Sequence, residues 1–479
     1  SLNRRYAMNV RHSFPKNIFR AYDIRGKLSY LTTDVVRSIA YGLAQQYKQA
    51  EQTQLIIGYD ARLTSPAYAH LIEEILVQHG LNVTNIGCCS TPMMYYIARE
   101  FGGNGIMVTA SHNPKSDNGI KWILRGEPPS PEMIQQVGEF AQTYVPTHTI
   151  SLLELSTPQF NSEFCKKYQQ AIFNDIQLKR PLKVVLDGLH GSAGHCSKLV
   201  LEKMGCEVIA LRTTPNGEFP DHAPDPSHAA HLKELRKTII EQGADIGIAL
   251  DGDGDRVVLL DEKANILTAD RLLSLFAQMC LEQQPDKEIV FDVKCSLMVQ
   301  RTVERLGGKP KMIRTGSSFL RAYLSQSNGN AIFGGEYAGH YVFNDGRGFG
   351  YDDGLYAALR VMEYFTESNA TTISDLFSNY PERCCTEDTY IGTHQSDPKH
   401  VLQDIEILSH RLGARISKID GVRLDFNDGF GIIRASNTGE YFTVRFDADN
   451  PLRLKEIQQK FIDMLQERYP QIAQELSEA

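Results

Sequence analysis

One rhythm recurs three times along this chain: a short β-branched run, a turn, then a helical pattern. TQLIIGYD (53–60) reads as a buried strand, AYAHLIEEILVQHG (67–80) as an amphipathic helix, and NVTNIG, PMMYYIAREFG and GIMVTA carry the alternation to residue 110. PLKVVLDG (181–188) opens the second pass, with helices near 195–204 and 229–242 around CEVIAL, ending in ADIGIAL (244–250). The third runs from EIVFDV (288–293) through helices near 296–306 and 317–325, with KMIRTG between them, to NAIFGGE (330–336). Strands alternating with helices force right-handed crossovers, and so mixed or parallel sheets with helices on both faces. After TTISDLFSNY the rhythm breaks. A helix near 398–411, short strands in RISKIDGVRLDF, FGIIRA and EYFTVRFDA, and a long helix at 451–469 describe a smaller α+β unit. The expected division is three similar α/β domains, 1–155, 156–260 and 261–375, followed by an α+β domain, 376–479.

Composition excludes several classes. The 479 residues carry a net charge of −8, which argues against a nucleic-acid partner but not against anionic metabolites. No apolar run approaches the roughly 18 residues of a membrane span, and SLNRRYAMNVRHSF lacks the apolar stretch of a secretory signal. Nine cysteines, with no C-x-x-C pair, read as free buried thiols, and so as a soluble protein of a reducing, cytoplasmic compartment. Nothing marks an oligomer interface; a monomer or weak homo-oligomer is expected.

Four segments carry candidate chemistry. In GIMVTASHNPKSDNGIKW, Ser111 falls in a loop just after a strand, where Pro114 forbids helix, and it reads as exposed at the strand's carboxyl end. With no partner base and no G-x-S-x-G, it is a poor acyl nucleophile but a possible phosphoryl carrier; a plain turn residue is the competing reading. In ADIGIALDGDGDRVVLLDE, Asp251, Asp253 and Asp255 alternate with glycines, so three carboxylates can converge on one cation, magnesium or manganese rather than zinc. A calcium loop needs Gly where Arg256 stands and helices where strands are expected. FGGEYAGHYVF sets Glu336 and His340 in a glycine-rich loop able to bind hydroxyls, though a Glu in such a loop is more often solvated. GIIRASNTGE places Arg434, Ser436, Asn437 and Thr438 in one turn, a composition suited to a phosphate. Arg20, Arg25 and Arg62 count only in company, since surface Arg is usually just solvated.

TASHNP with NGIK, DGDGDR, GEYAGH and RASNT occur in the order seen in the α-D-phosphohexomutase superfamily, which the chain resembles over essentially its whole length. Within it, the resemblance is greatest to the bacterial phosphomannomutase/phosphoglucomutase group. The resemblance implies four domains around a central cleft and the interconversion of hexose 6-phosphate and hexose 1-phosphate, with mannose and also glucose as the sugar. It implies a phosphoserine at Ser111, Mg2+ held by Asp251, Asp253, Asp255 and a phosphate oxygen on Ser111, and a hexose 1,6-bisphosphate as intermediate and activator. Arg25, Lys121 and His340 match positions where acid–base work is expected, with His112 and Arg256 beside them. Tyr22, Lys294, Glu336, Arg434, Ser436, Asn437 and Thr438 match substrate-contact positions. Ala338 replaces a Ser of many relatives, Ser317 stands where dual-specificity enzymes can carry His, and Gly439-Glu440 replaces Thr-Pro. Phosphoglucosamine mutase and a non-catalytic sugar-phosphate binder are the alternatives; Arg434-Ala435-Ser436-Asn437-Thr438 favours neutral hexoses over the former, and intact Ser111 and Asp residues weigh against the latter.

Overall fold

The computed structural model describes residues 14–145, 153–436 and 439–479. They form two compact units, one holding the described residues up to Leu267 together with Ala338–Leu376, the other Thr268–Tyr337 and Phe377–Ala479. The first unit contains two five-stranded sheets with the same plan. One runs in the order Ile24–Lys27, Asp117–Ile123, Gly105–Val108, Gln54–Tyr59, Asn82–Cys88. The other runs Ile266–Leu267, Val257–Leu260, Ile246–Leu250, Lys183–Asp187, Glu207–Leu211. In each, three parallel strands continue into two antiparallel ones. The parallel strands Gly105–Val108 and Ile246–Leu250 are buried at every residue, which their unbroken apolar runs require.

This plan positions the site. A parallel strand needs a long crossover to its successor, whereas an antiparallel one follows by a short loop. The loop 109–116, bearing Ser111, leaves Gly105–Val108 in that way, and the loop 251–256, bearing the three Asp residues, leaves Ile246–Leu250. Both therefore stand at the carboxyl end of a central strand, where α/β sheets bind ligands.

In the second unit, Lys309–Ile313, Glu288–Asp292 and Ala331–Gly335 pair in parallel. The C-terminal sheet is antiparallel, built on Tyr441–Ala448, Gly429–Ala435, Val422–Phe426 and Arg415–Ser417, with Cys384–Cys385 and Thr389–Gly392 both on Tyr441–Ala448. Its core gathers Ile433, Phe442, Val444, Phe446, Ile457 and Phe461. Asp397 and Asn450 cap the helices Pro398–Ser409 and Pro451–Gln466. The fold is thus three α/β sheets and a C-terminal antiparallel sheet, as the rhythm implied. One detail differs: the helix expected to reach residue 469 stops at Gln466, and Pro470 starts another, Pro470–Glu478. A proline's missing N–H suits a first turn and not a helix interior. No described helix is long and apolar enough to cross a membrane.

Candidate active site

Ser111 is held by its loop rather than displayed by it. The sequence reading had it exposed; it is 2% exposed, because Gly252 of the Asp loop lies against its carbonyl. A Cβ at Gly252 would meet that carbonyl oxygen at 2.2 Å, so only glycine fits. Ser111 adopts φ 53°, a left-handed conformation that non-glycine residues take up only when the surroundings impose it. The imposing residue is Arg62. Its guanidinium donates to the carbonyls of Ser111 (2.9 Å), Asn113 (2.8 Å) and Pro114 (2.7 Å), and its Nε to Asp60 Oδ2 (3.0 Å). Thr109 closes the ring, donating to Asp60 Oδ2 at 2.7 Å and accepting from the Ser111 N–H at 2.8 Å. Arg62, read as potentially just solvated, is 1% exposed and anchors the loop.

The three Asp side chains converge as the glycine spacing implied. Carboxylate oxygens of Asp251, Asp253 and Asp255, all buried, lie within 4.8 Å of one another. Ser111 Oγ donates to Asp251 Oδ2 at 2.8 Å. Lys121 Nζ bridges Asp253 Oδ2 (2.8 Å) and Asp255 Oδ2 (3.0 Å), and Thr91 Oγ1 donates to Asp253 Oδ2 (2.6 Å). Burial, then the neighbouring Asp255 and Asp253, raise the Asp251 carboxyl well above its usual range. Burial also opposes ionisation of Asp255, but Lys121 and His340 outweigh it and hold that carboxyl at about 2. Asp253 Oδ1 and Asp255 Oδ1 are buried with no hydrogen-bond partner. Two orphaned carboxylate oxygens and a third carboxyl whose ionisation burial and its neighbours oppose fit a hard divalent cation, and the all-oxygen donor set fits Mg2+.

Cationic and imidazole groups surround this cluster. Arg25 donates to Asp23 Oδ2 (2.7 Å) and to Asn113 Oδ1 (3.1 Å). His112 follows Ser111 with Nδ1 buried and unpartnered; burial, then Arg256, Arg25, Lys121 and Arg20, push its pKa well below the usual value. A neutral imidazole among four cations marks a region whose charge an anion would balance. Lys121 remains charged: burial opposes this, but Asp253 and Asp255 raise its pKa well above normal. His340 Nδ1 lies 2.7 Å from Asp352 Oδ2, and Arg256 Nε lies 3.0 Å from His340 Nε2. An arginine can only donate, so Nε2 carries the lone pair and the proton sits on Nδ1. Burial disfavours the imidazolium, yet Asp255 and the Asp352 hydrogen bond leave the His340 pKa raised.

All five residues expected to act in catalysis thus lie in the first unit, together with Arg256 and the three Asp residues. Sequence reasoning missed Asp352, Asp60 and Thr91. An Asp at the carboxyl end of a strand, as in GYDAR, was the available signal for Asp60; no spacing points to Thr91 or Asp352. Tyr22, also in this unit, is half-buried with the Arg20 guanidinium 5.1 Å from its ring centre.

The remaining expected residues belong to the second unit. Buried Glu336 accepts from the Gly316 N–H at 3.0 Å. Lys294 Nζ donates to Asp388 Oδ2. Arg434 Nε faces Asp420 Oδ2 at 3.2 Å and its Nη1 donates to Thr443 Oγ1 at 3.1 Å. The Ser436 N–H donates to the Tyr441 carbonyl at 3.0 Å. Asn437 and Thr438 lie outside the described residues.

Comparison with known proteins follows the same order. Residues 16–146, 162–264 and 268–384 match the family models for phosphoglucomutase/phosphomannomutase alpha/beta/alpha domains I, II and III. The phosphomannomutase/phosphoglucomutase of Pseudomonas syringae pv. tomato is 35% identical over 449 residues, 93% of this chain and 94% of its own. The phosphoglucomutase of Neisseria meningitidis serogroup A is 34% identical over 450 residues, 93% of this chain and 96% of its own. The crystal structure of a phosphoglucomutase/phosphomannomutase family protein from Burkholderia thailandensis superposes with a TM-score of 0.85 at 32% identity, covering 95% of this chain and 98% of its own.

Proposed function

The chain belongs to the phosphoglucomutase/phosphomannomutase family, and from that premise we propose how its residues serve a hexose phosphate mutase. The enzyme is an intramolecular phosphotransferase on sugar phosphates, as its relatives' names describe. Ser111 carries the phosphoryl group in the resting state. The P–Oγ bond breaks as the phosphorus bonds to the free hydroxyl of a hexose 1- or 6-phosphate, giving a hexose 1,6-bisphosphate. The hydroxyl proton passes to His340 Nε2, the lone-pair nitrogen that Asp352 orients. The bisphosphate turns around, its other phosphoryl group returns to Ser111 Oγ, and His340 restores the proton to the sugar oxygen left behind. A Ser111 that has lost its phosphoryl group is primed again by hexose 1,6-bisphosphate, which is thus an activator.

Asp251, Asp253 and Asp255, with a phosphate oxygen on Ser111, would hold Mg2+. When bound, it neutralises the carboxylates and offsets charge on the transferring group. Lys121 and Arg25 add fixed positive charge around the same atoms, and Arg256, on leaving His340 Nε2 as that nitrogen takes the proton, adds a third. His112, neutral and next to Ser111, donates to or accepts from a phosphoryl oxygen without adding charge. For the sugar, Glu336 accepts from ring hydroxyls, and Lys294, Arg434 and Ser436 grip the phosphate that is not transferred, with Tyr22 a further contact. Mannose and glucose phosphates are the preferred substrates, ahead of amino sugars.

The observation that carries this reading is the hydrogen bond of 2.8 Å between Ser111 Oγ and an Asp of the carboxylate trio, in a loop strained to keep it there. The test compares kcat/KM for mannose 1-phosphate, glucose 1-phosphate and glucosamine 6-phosphate, with Mg2+ and a hexose 1,6-bisphosphate present. Peptide mapping for phosphoserine accompanies it, with Ser111→Ala as control. Turnover of the neutral hexoses, lost in the control, with the phosphoryl group mapped to Ser111, is expected. A preferred amino sugar would overturn the substrate assignment, and an active Ser111→Ala chain would overturn the carrier.

A further inference from the structure

Five of the nine cysteines are shielded by burial, and two more face apart. Cys88, Cys89, Cys206, Cys280 and Cys295 are buried. Cys384 and Cys385 are neighbours on one strand, where successive side chains point to opposite faces. The other two differ. Cys165 on the helix Ser162–Asp175 and Cys196 on the helix Gly194–Lys203 bring their sulfurs to 2.9 Å, and both residues are only partly buried. A disulfide is about 2.05 Å long, so less than roughly 1 Å of movement separates this pair from a bond.

The surroundings are polar. Gln169, one turn beyond Cys165, donates Nε2 to Cys165 Sγ (3.4 Å) and Cys196 Sγ (3.8 Å), and its Oε1 accepts from Lys203 Nζ at 3.5 Å. The hydrogen bond with Cys196, aided by Lys203, lowers the Cys165 pKa against the effect of burial, while the Cys196 thiol is raised. That asymmetry supplies one attacking thiolate and one proton-bearing partner, the division of labour that thiol oxidation needs.

The pair also touches the mechanism through the backbone. Just before the Cys196 helix, Ser192 N (3.0 Å) and Ser192 Oγ (3.2 Å) both donate to the carbonyl of Gly252, the glycine between Asp251 and Asp253. A Cβ at Gly254 would lie 2.5 Å from Ala193 Cβ. The start of this helix is therefore fastened to the loop that presents the three carboxylates.

We propose that Cys165 and Cys196 form a dithiol–disulfide site for peroxide-class oxidants, and that closing it slows the mutase by displacing the Asp loop through Ser192 and Ala193. The Cys165 thiolate attacks one oxygen of hydrogen peroxide, the O–O bond breaks, and hydroxide leaves, giving a sulfenic acid. The Cys196 sulfur then attacks the Cys165 sulfur, and the hydroxyl departs with the Cys196 proton as water. Two thiols and one peroxide become one disulfide and two waters, and a dithiol reductant reverses the change.

The covalent half is independent of the function proposed above; only the effect on rate rests on it. The full chain is treated with hydrogen peroxide, free thiols are alkylated, and intact mass and disulfide peptides are read beside mutase activity. Two of the nine thiols should become unreactive, in a Cys165–Cys196 peptide that dithiothreitol abolishes. Activity should fall several-fold and recover on reduction. Cys165→Ser and Cys196→Ser chains should keep untreated activity, form no cross-link and resist the oxidant. A cross-link elsewhere, or sulfinic acid at Cys165 without a cross-link, overturns the site. A mapped Cys165–Cys196 disulfide with unchanged turnover overturns the coupling to the Asp loop.

Discussion

The two units differ in how they hold the charges of their candidate site residues. In the first, Asp253 and Asp255 each keep an oxygen buried and unpartnered, Asp251 resists ionisation, and His112 sits neutral among cations. In the second, Lys294 is paired with Asp388 and Arg434 faces Asp420, so each cation has an anion beside it, although Asp388 Oδ1 and Arg434 Nε lack hydrogen-bond partners. The residues proposed to handle a transferring phosphoryl group and a metal leave buried carboxylate oxygens open to a cation. The residues proposed to recognise a substrate rest on internal partners, which a bound phosphate would displace. Substitutions in the first unit should therefore act on kcat, and those in the second on KM.

The sharpest break comes at Ser111. Ser111→Ala should lower kcat by on the order of 10^4-fold or more with circular dichroism unchanged, because the carrier oxygen is lost and nothing replaces it. Asp255→Asn should lower kcat by on the order of 10^3-fold, and chelation with EDTA should abolish wild-type turnover until Mg2+ is restored. Isothermal titration of Mg2+ reads the same loss without reference to activity. Tight Mg2+ binding by Asp255→Asn would sink the assignment of that carboxylate as a ligand.

Within the first unit, Asp352 offers a finer cut. Its carboxylate is one of two that raise the His340 pKa. Asp352→Asn removes an anion, so the imidazolium loses stabilisation and the His340 pKa falls. The base form then persists to lower pH, and the ascending limb of the kcat profile should move down by about one unit. Its plateau should drop by about tenfold as the ring loses its orientation. A lower plateau with an unmoved limb would assign Asp352 a merely structural part.

In the second unit, Lys294→Ala and Arg434→Ala should each raise KM by roughly 10- to 100-fold while kcat changes much less, the size expected for a charged hydrogen bond to a phosphate. Asp388→Asn frees Lys294 from its partner and should lower KM by about twofold. Loss of kcat equal to the loss of kcat/KM in Lys294→Ala would erase the distinction between the units.

How far the sequence carries this picture depends on range. The parallel strands announce themselves as local apolar runs: TQLIIGYD contains Gln54–Tyr59 and ADIGIAL contains Ile246–Leu250. The carboxylate trio was legible for the same reason, since alternating glycines within five residues fix its convergence. Arg62 was not, because its partners are carbonyls some fifty positions away and nothing in GYDAR points to them. Ile24–Lys27, seen only as a source of arginines, is a strand because it pairs with Asp117–Ile123. The Cys165–Cys196 contact likewise joins two helices whose sequences show no relation. Pro470 and Asp60, by contrast, carry local signals, a proline that starts a helix and an Asp at the end of a strand.

Stability against pH tests whether balanced charge in the second unit extends beyond its candidate binding residues. Asp447 accepts from Arg383 Nε at 2.8 Å through Oδ1, but its Oδ2 is buried with no partner. Burial pushes its carboxyl up to about 6, and Arg383 only partly opposes this. The folded chain therefore holds this proton more tightly than the unfolded chain, whose Asp titrates near about 3.9. The resulting stability is fully present below about pH 4 and is lost as the pH rises through about 6, at most about 3 kcal/mol. In Asp447→Asn nothing titrates at this position. Between pH 4 and pH 7 the wild-type urea midpoint, followed by circular dichroism, should fall relative to that of the variant. Parallel midpoints across that range would mean that Arg383 neutralises Asp447 fully, and that the contrast between the two units is sharper than the orphaned Oδ2 implies.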